Sequence, residues 1–181
     1  MMIKELTESE VVDLVDIEDR VIGHATLDEC YSKGLLHRAV TIYCWNGQDE
    51  VLLQKRSHTD SWFPGFWTAS CTGHVRLGED WQMASRRELQ EELGLHVEEV
   101  HLLFKYNVPL VRYGDLIENE IMYVIESNIG KSGISIDPSE VEEVRFFERQ
   151  ELKSFFETRT DVITPDAVES FRRYSKLKKI R

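Results

Sequence analysis

Three glutamates, Glu88, Glu91 and Glu92, stand at i, i+3 and i+4. On an α-helix that spacing gathers them within one arc of about 100°. Like charges so placed cost a few tenths of a kcal/mol per pair unless a cation compensates. Several hard oxygen ligands are what Mg²⁺ or Mn²⁺ selects, and such ions bridge readily to phosphate oxygens. A metal-bound water with a lowered pKa can then attack phosphorus, and a carboxylate outside the metal's ligands can take its proton. The other reading of a bare Glu-x-x-Glu-Glu is a solvated acidic face.

The segment that carries these acids reads as a helix over Trp81–Leu93. It contains neither Pro nor Gly, and Gly94 stands where a C′ glycine belongs. Leu89 and Leu93, four apart, form an apolar stripe beside the acidic arc, so the helix docks through leucines and presents its carboxylates together. Around it the chain reads as strands and short helices. Val11–Ile17 and Val21–His24 flank a polar turn as an N-terminal hairpin. Arg38–Trp45, the turn Asn46–Asp49 and Val51–Lys55 form a second hairpin. The aromatic loop Trp62–Trp67 leads to a short strand near Thr68–Cys71 and a loop bearing Gly73 and Gly78. Val100–Tyr106, Glu120–Glu126 and Val144–Phe147 read as strands, and Leu152–Phe156 as a short helix. Thr164-Pro165 resembles an N-cap and N1 pair opening a last helix through Phe171 and Tyr174. Strands before, between and after helices predict one mixed α/β domain over residues 1–181.

Bulk properties bound the function classes. The chain has 181 residues with a formal charge of −11, 41% hydrophobic and 30% charged residues, which predicts a globular protein. That charge argues against non-specific nucleic-acid binding, because phosphates seek a basic surface. Small phosphate esters remain open, since a bound metal can neutralise them. No apolar run approaches the roughly 20 residues a membrane helix needs, and MMIKELTESEVVD has no signal-peptide core. The three cysteines, Cys30, Cys44 and Cys71, show no CxxC spacing, so neither a disulfide framework nor a zinc site follows. A reduced cytoplasmic setting, and a monomer or homodimer without nucleic-acid or membrane partners, are the expectations.

A wider pattern encloses the glutamates. Gly73, five residues, Glu79, seven residues, Arg87-Glu88-Leu89, one residue, Glu91-Glu92, one residue, Gly94-Leu95 match the Nudix box over residues 73–95 at every specified position. From average residue usage, a chance match in this chain is roughly one in ten million. The sequence therefore resembles the Nudix superfamily. That resemblance implies an α/β/α sandwich with a mixed sheet, here with an N-terminal β-hairpin extension and a C-terminal helix. It also implies Mg²⁺- or Mn²⁺-dependent cleavage of a diphosphate-linked small molecule. Carried over by position, Glu88, Glu91 and Glu92 become metal ligands, and Arg87 orients them. Gly73 lets the backbone approach the metal, while Glu79 stabilises the loop and helix start.

Outside the box, Leu36-His37-Arg38-Ala39, Phe63–Thr68 followed by Gly73-His74, Ile117–Glu120 and Ile163-Thr164-Pro165 resemble the isopentenyl-diphosphate isomerases, which share the Nudix fold. That family binds a metal through three histidines and two glutamates. By resemblance His37, His74, Glu118 and Glu120 take four of those places, and Cys30 stands nearest the fifth by count. Glu120 is thus a candidate ligand or auxiliary base. His37, His74 and Glu118 are candidates for an additional metal. Each also has a plain structural reading as a hydrogen-bonded or edge residue.

The departures from the isomerases point towards hydrolysis. Their catalytic cysteine aligns with Thr72; Cys71 is one position off and would face the other side of a strand. Their late tryptophan aligns with Asp166. At the Glu88 position they carry a basic residue, and at Glu91 no acid. Arg56 matches a diphosphate-contacting arginine, or is an ordinary strand-end base, and an isomerase lysine aligns with Asp60. The loop ending in Trp67 could stack a substrate group or plug the core. The expected activity is Nudix hydrolysis of a phosphoanhydride, with isopentenyl-diphosphate isomerisation as the alternative. A non-catalytic binding module on the same fold is the third reading.

Overall fold

The computed structural model describes residues 10–130 and 133–180. Strand β1 (Val11–Val15) pairs antiparallel with β2 (Val21–Thr26), giving the N-terminal hairpin two residues shorter on its first strand than the sequence suggests. The cause is Asp16, whose carboxylate accepts the backbone N–H of Glu18 and Arg20 and folds the chain back early. Helix α1 (Leu27–Lys33) follows, an element the sequence reading did not anticipate. A reciprocal capping box starts it: Thr26 accepts from the Glu29 backbone N–H and the Glu29 side chain reaches back to the Thr26 N–H.

β3 (His37–Trp45) is the central strand. It runs parallel to β10 (Glu120–Asn128) in unbroken register from His37↔Glu120 to Trp45↔Asn128. β10 is flanked in turn by antiparallel β7 (His101–Asn107). On its other side β3 touches β4 (Glu50–Arg56) only at Trp45↔Val51, and the two then splay apart. β5 (Trp67–Thr68) pairs with β4, and β6 (Cys71–His74) pairs with β3, filling the gap. The single strand expected near Thr68–Cys71 is therefore two strands with different partners. Ser70 at the crossing secures both sides, its hydroxyl donating to the Leu52 carbonyl at 2.5 Å and accepting from the Cys44 N–H at 2.7 Å. β11 (Val141–Glu148) closes the outer edge against β4, and a separate small hairpin joins β8 (Val111–Tyr113) to β9 (Leu116–Glu118).

Alternation along β3 sends side chains to two cores. Val40, Ile42 and Cys44 face α2 (Trp81–Leu93) and its Leu89 and Leu93. Ala39, Tyr43 and Trp45 face α3 (Arg149–Thr158) and α4 (Pro165–Lys178), meeting Leu152, Phe156, Phe171 and Tyr174. Helices on both faces of a nine-stranded mixed sheet make the α/β/α sandwich. α2 has the bounds its pattern predicts, with Asp80 capping the Met83 N–H and Gly94 at φ 65° in the left-handed region. α4 likewise starts at Pro165, and the Thr164 N–H donates to the Trp67 carbonyl at 2.9 Å. Among the described residues, no helix is long and apolar enough to cross a membrane.

Candidate active site

The splay of β3 from β4 opens a cavity of about 950 Å³, lined by eleven carboxylates against two arginines and one histidine. Gly73 and His74 are neighbours on β6 and so face opposite sides of it. Each belongs to a different cluster on the cavity wall.

On the α2 side, the three box glutamates are not equivalent. Taking Glu88 as the origin, Glu92 lies about 40° towards the leucine stripe and Glu91 about 60° away from it. Burial sets Glu91 apart: Glu88 and Glu92 are 8% and 9% exposed, whereas the Glu91 side chain is 46% exposed and paired with Arg76 and Arg87 at 3.2 Å. The expectation that all three face one way thus resolves into an inward pair and an outward third. Arg87 donates to both oxygens of Glu79 at 2.8 Å, to Glu88 at 2.6 Å and to the His74 carbonyl at 2.8 Å. Glu79 also accepts from the Arg76 N–H at 3.1 Å, so it braces the loop ahead of the helix. A Cβ at Gly73 would lie 2.1 Å from the Glu88 carboxyl carbon, so the glycine makes room for that side chain. Burial first, and then the Glu92 charge, lift the Glu88 carboxyl to about 8 against the pull of Arg87. Burial lifts Glu92 to about 7 despite hydrogen bonds to the Cys71 and Gln54 side chains. Gln54 Nε2 donates to Glu92 at 2.8 Å. Nothing in the sequence singled out Gln54, whose role depends on strand register.

On the other side of β6, His37 from the start of β3, Glu120 from the start of β10 and His74 come together through the β10–β3–β6 pairing. Glu120 Oε1 lies 3.5 Å from His37 Nε2 and 3.4 Å from His74 Nε2. Their ligand atoms sit within 4.8 Å of one another, a spacing suited to a metal ion. His37 Nδ1 meets the Leu35 carbonyl at 2.9 Å, which aims Nε2 into the cluster, where it has no hydrogen-bond partner. Glu118, also expected here, is 4% exposed with Oε2 unpartnered, yet Glu120 is the carboxylate that stands between both histidines. Burial disfavours the Glu120 charge, but His37 and His74 hold its carboxyl down at about 2. Burial likewise opposes the His37 charge, and the Cys30 and Glu120 side chains outweigh it, lifting the imidazole to about 10. Burial, with Glu120 and Asp166 nearby, pushes Glu118 up to about 10.

Cys30 does not line the cavity, although its thiol lies against the His37 imidazole. It is buried with Val12 and Ala25 under the N-terminal hairpin. Tyr31, one residue on, lines the cavity, its hydroxyl 2.8 Å from His74 Nε2 and its ring stacked on Trp62 at 5.7 Å. Thr72 also lines the cavity, while Cys71 is fully buried on the α2 side with its thiol pushed well up by burial and by Glu92. Arg56 reaches the wall with Nε on the Trp62 carbonyl at 2.7 Å and Nη2 on Asp60 at 2.5 Å. The aspartate at the place of an isomerase lysine therefore holds the arginine in position. Trp67, an expected substrate contact, is not on the cavity wall: it packs edge-on against Phe147 and Phe155, each at 5.9 Å. A two-residue strand pointing into the α3–α4 core dictates that, and Trp62 supplies the aromatic wall instead. Asp166, in the first turn of α4, is buried at the cavity with its carboxyl raised by burial against a Thr164 hydrogen bond.

Both clusters fit a divalent ion. The α2 side offers a buried carboxylate pair that holds protons unusually tightly even with Arg87 paired to Glu88, which leaves charge for a further cation to compensate. The β6 side offers two imidazoles and a carboxylate with an unpartnered buried nitrogen.

A model of the NUDIX domain family matches residues 35–167. The chain belongs to the Nudix family. Among known proteins it is similar to an isopentenyl-diphosphate Δ-isomerase of Photorhabdus laumondii, 33% identical over 86% of each chain. A Serratia proteamaculans isomerase is 37% identical, over 64% of each chain. An uncharacterized Nudix hydrolase of Pseudomonas aeruginosa is 28% identical over 93% of this chain and 95% of that one. The Nudix fold recurs in a Deinococcus radiodurans structure with TM-score 0.67, at 22% identity over 91% of this chain and 98% of that one. A MutT protein from Methanosarcina mazei gives 0.65, at 18% identity over 80% and 96%.

Proposed function

We propose that the chain is a metal-dependent Nudix hydrolase that cleaves the phosphoanhydride of a diphosphate-linked small molecule by attack of an activated water. The observation that carries this reading is the inward pair Glu88 and Glu92, buried side by side with both carboxyls lifted far above the usual range. A cavity lined by eleven carboxylates repels a diphosphate until cations neutralise it, which makes the ion a condition of substrate entry.

Glu88 and Glu92 would hold Mg²⁺ or Mn²⁺, with Glu91 joining on release from Arg76. When bound, the ion polarises phosphoryl oxygens and lowers the pKa of a water. Arg87 keeps Glu88 aimed at the cavity through its fork onto Glu79, and Gln54 does the same for Glu92. Arg56, clamped by Asp60 and the Trp62 carbonyl, presents its remaining N–H groups to the diphosphate. Glu120, held at about 2, is a poor proton acceptor at neutral pH, so its position between two histidines supports a ligand role over that of auxiliary base. His37 and His74 complete that second site, and Glu118 adjoins it.

Isomerisation of isopentenyl diphosphate is the second reading, favoured by the convergence of His37, His74 and Glu120 and by the isomerase relatives. Against it stands Thr72 on the wall, whose hydroxyl is a far weaker acid than a thiol. The test is a panel of nucleoside diphosphate sugars, dinucleotides, coenzyme A, deoxynucleoside triphosphates and isoprenoid diphosphates, assayed with Mg²⁺ and Mn²⁺. Phosphate or nucleotide release from a panel member, lost in Glu92→Gln, is the expected result. Dimethylallyl diphosphate from isopentenyl diphosphate, with no hydrolysis elsewhere, would overturn the hydrolase reading.

A further inference from the structure

The capping box that opens α1 fixes which residue of its turn faces inward. Cys30 goes to the small core beneath the hairpin, and Tyr31 goes to the cavity, where stacking on Trp62 holds its ring. Its phenol oxygen lies 2.8 Å from His74 Nε2, the same nitrogen that stands 3.4 Å from Glu120 Oε1. The Tyr31 ring also meets the His37 ring edge-on at 6.1 Å. Through His74, Tyr31 from α1 thus joins the cluster of His37, His74 and Glu120 from β3, β6 and β10.

Three of the separations are those of ligands around an ion. With bonds of about 2.0–2.1 Å, neighbouring ligand atoms lie about 3.3–3.4 Å apart in a tetrahedral shell and about 2.9 Å apart in an octahedral one. The Glu120 oxygen is 3.5 and 3.4 Å from the two histidine nitrogens, and the Tyr31 oxygen is 2.8 Å from one of them. The His37 nitrogen, buried and without a partner, points to the same place.

The geometry points to Tyr31 as a fourth ligand, so that the β6-side site holds a transition-metal ion with two imidazoles, one carboxylate and one phenolate. This rests on the second metal site described above and is independent of Glu88 and Glu92. Coordination forms a metal–oxygen bond and releases the phenol proton to solvent. Imidazole donors suit iron or zinc and tyrosinate is a known iron ligand, whereas the all-oxygen box cluster suits Mg²⁺ or Mn²⁺. One cavity would then hold two chemically distinct ions. The bland alternative is that Tyr31 only hydrogen-bonds His74 and orients its ring.

Spectroscopy separates the two. The full-length protein, stripped with chelator, is loaded anaerobically with Fe(II) and exposed to air, and the visible charge-transfer absorption of an Fe(III)–phenolate is sought. Wild type should show the band and enhanced tyrosinate modes in resonance Raman. Tyr31→Phe, which keeps the stacking on Trp62, should lose both while still binding Co(II) with affinity about tenfold weaker. His74→Ala should lose the band and Co(II) binding together. Glu92→Gln should keep the band, so failure of the hydrolase reading leaves this one standing. Iron uptake without a band, a band that survives Tyr31→Phe, or no uptake at all would each overturn the assignment. If Tyr31→Phe does not fold, iron taken up by wild type without the band still overturns the assignment.

Discussion

Glu88 occupies the volume that any side chain at position 73 would claim, so the box glycine and the box glutamate are one steric unit. Gly73→Ala should push the Glu88 carboxylate out of the cavity and cost about 1–3 kcal/mol by overpacking. It should cut turnover far more than stability; a variant with wild-type kcat would show that the close approach is incidental. Glu92→Gln isolates the charge. It removes an anion that burial disfavours, so thermal stability at pH 8 should hold or rise while phosphate release disappears. Wild-type-like release would remove Glu92 from the metal site. The acids and Arg87 were legible in the sequence because a helix period converts spacing into a shared face. Tyr31 and Gln54 were not, because each reaches its partner from a distant element: Tyr31 meets His74 and Gln54 meets Glu92 through pairings that no local pattern encodes. Trp67 shows the converse, a conspicuous residue type that register turns into the core.

The elements that make the cavity are its shortest ones. β3 and β4 separate after one bridge, and four-residue β6 lines the opening while two-residue β5 pairs with β4 beside it. Strands this short carry no readable alternation, so the sequence suggested one strand where the chain crosses from one partner to the other. α1 escaped notice for a similar reason, since seven residues fall below a helix period pattern and only the Thr26–Glu29 capping box marks its start. The long elements β3, β10, α2 and α4 were legible, because repeated burial over nine or more residues leaves a strong pattern. Ser70 is the seam at the crossing, its hydroxyl buried between the Cys44 N–H and the Leu52 carbonyl. Ser70→Ala strands a buried donor and acceptor and should cost about 1–3 kcal/mol in denaturant unfolding. Because the seam sets how far β4 stands from β3, the same variant should raise KM more than it lowers kcat. Unchanged stability and KM together would mean the splay is held elsewhere.

At the scale of the whole molecule, the −11 charge is not spread evenly, for eleven carboxylates converge on one cavity. Five of them, Glu88, Glu92, Glu118, Glu120 and Asp166, are buried, which opposes folding with a defined pH dependence. Glu88 and Glu92 titrate near 8 and 7 in the folded chain against an ordinary 4.5, so the folded state binds more protons than the unfolded one between those values. Stability therefore falls as pH rises from about 4.5 to about 8, the reverse of a salt-bridged carboxylate, and the raised Glu118 and His37 carry the decline on towards about 10. A divalent ion holds Glu88 and Glu92 in their ionised form, so its binding releases protons and strengthens over the window in which they titrate. At an ion concentration of 100 times Kd the stabilisation is about 2.7 kcal/mol. For a chain of this size each kcal/mol moves Tm by about 2–4 °C. Melts with and without Mg²⁺ from about pH 5 to about pH 9 should show a negligible shift at the acid end, growing through pH 7–8. The double variant Glu88→Gln, Glu92→Gln should lose the Mg²⁺ shift and make the metal-free decline with pH shallower, the remainder coming from Glu118 and His37. A Mg²⁺ shift that is constant with pH, or that survives in the double variant, would place the ion on other residues and detach the cavity's acidity from the proposed hydrolysis.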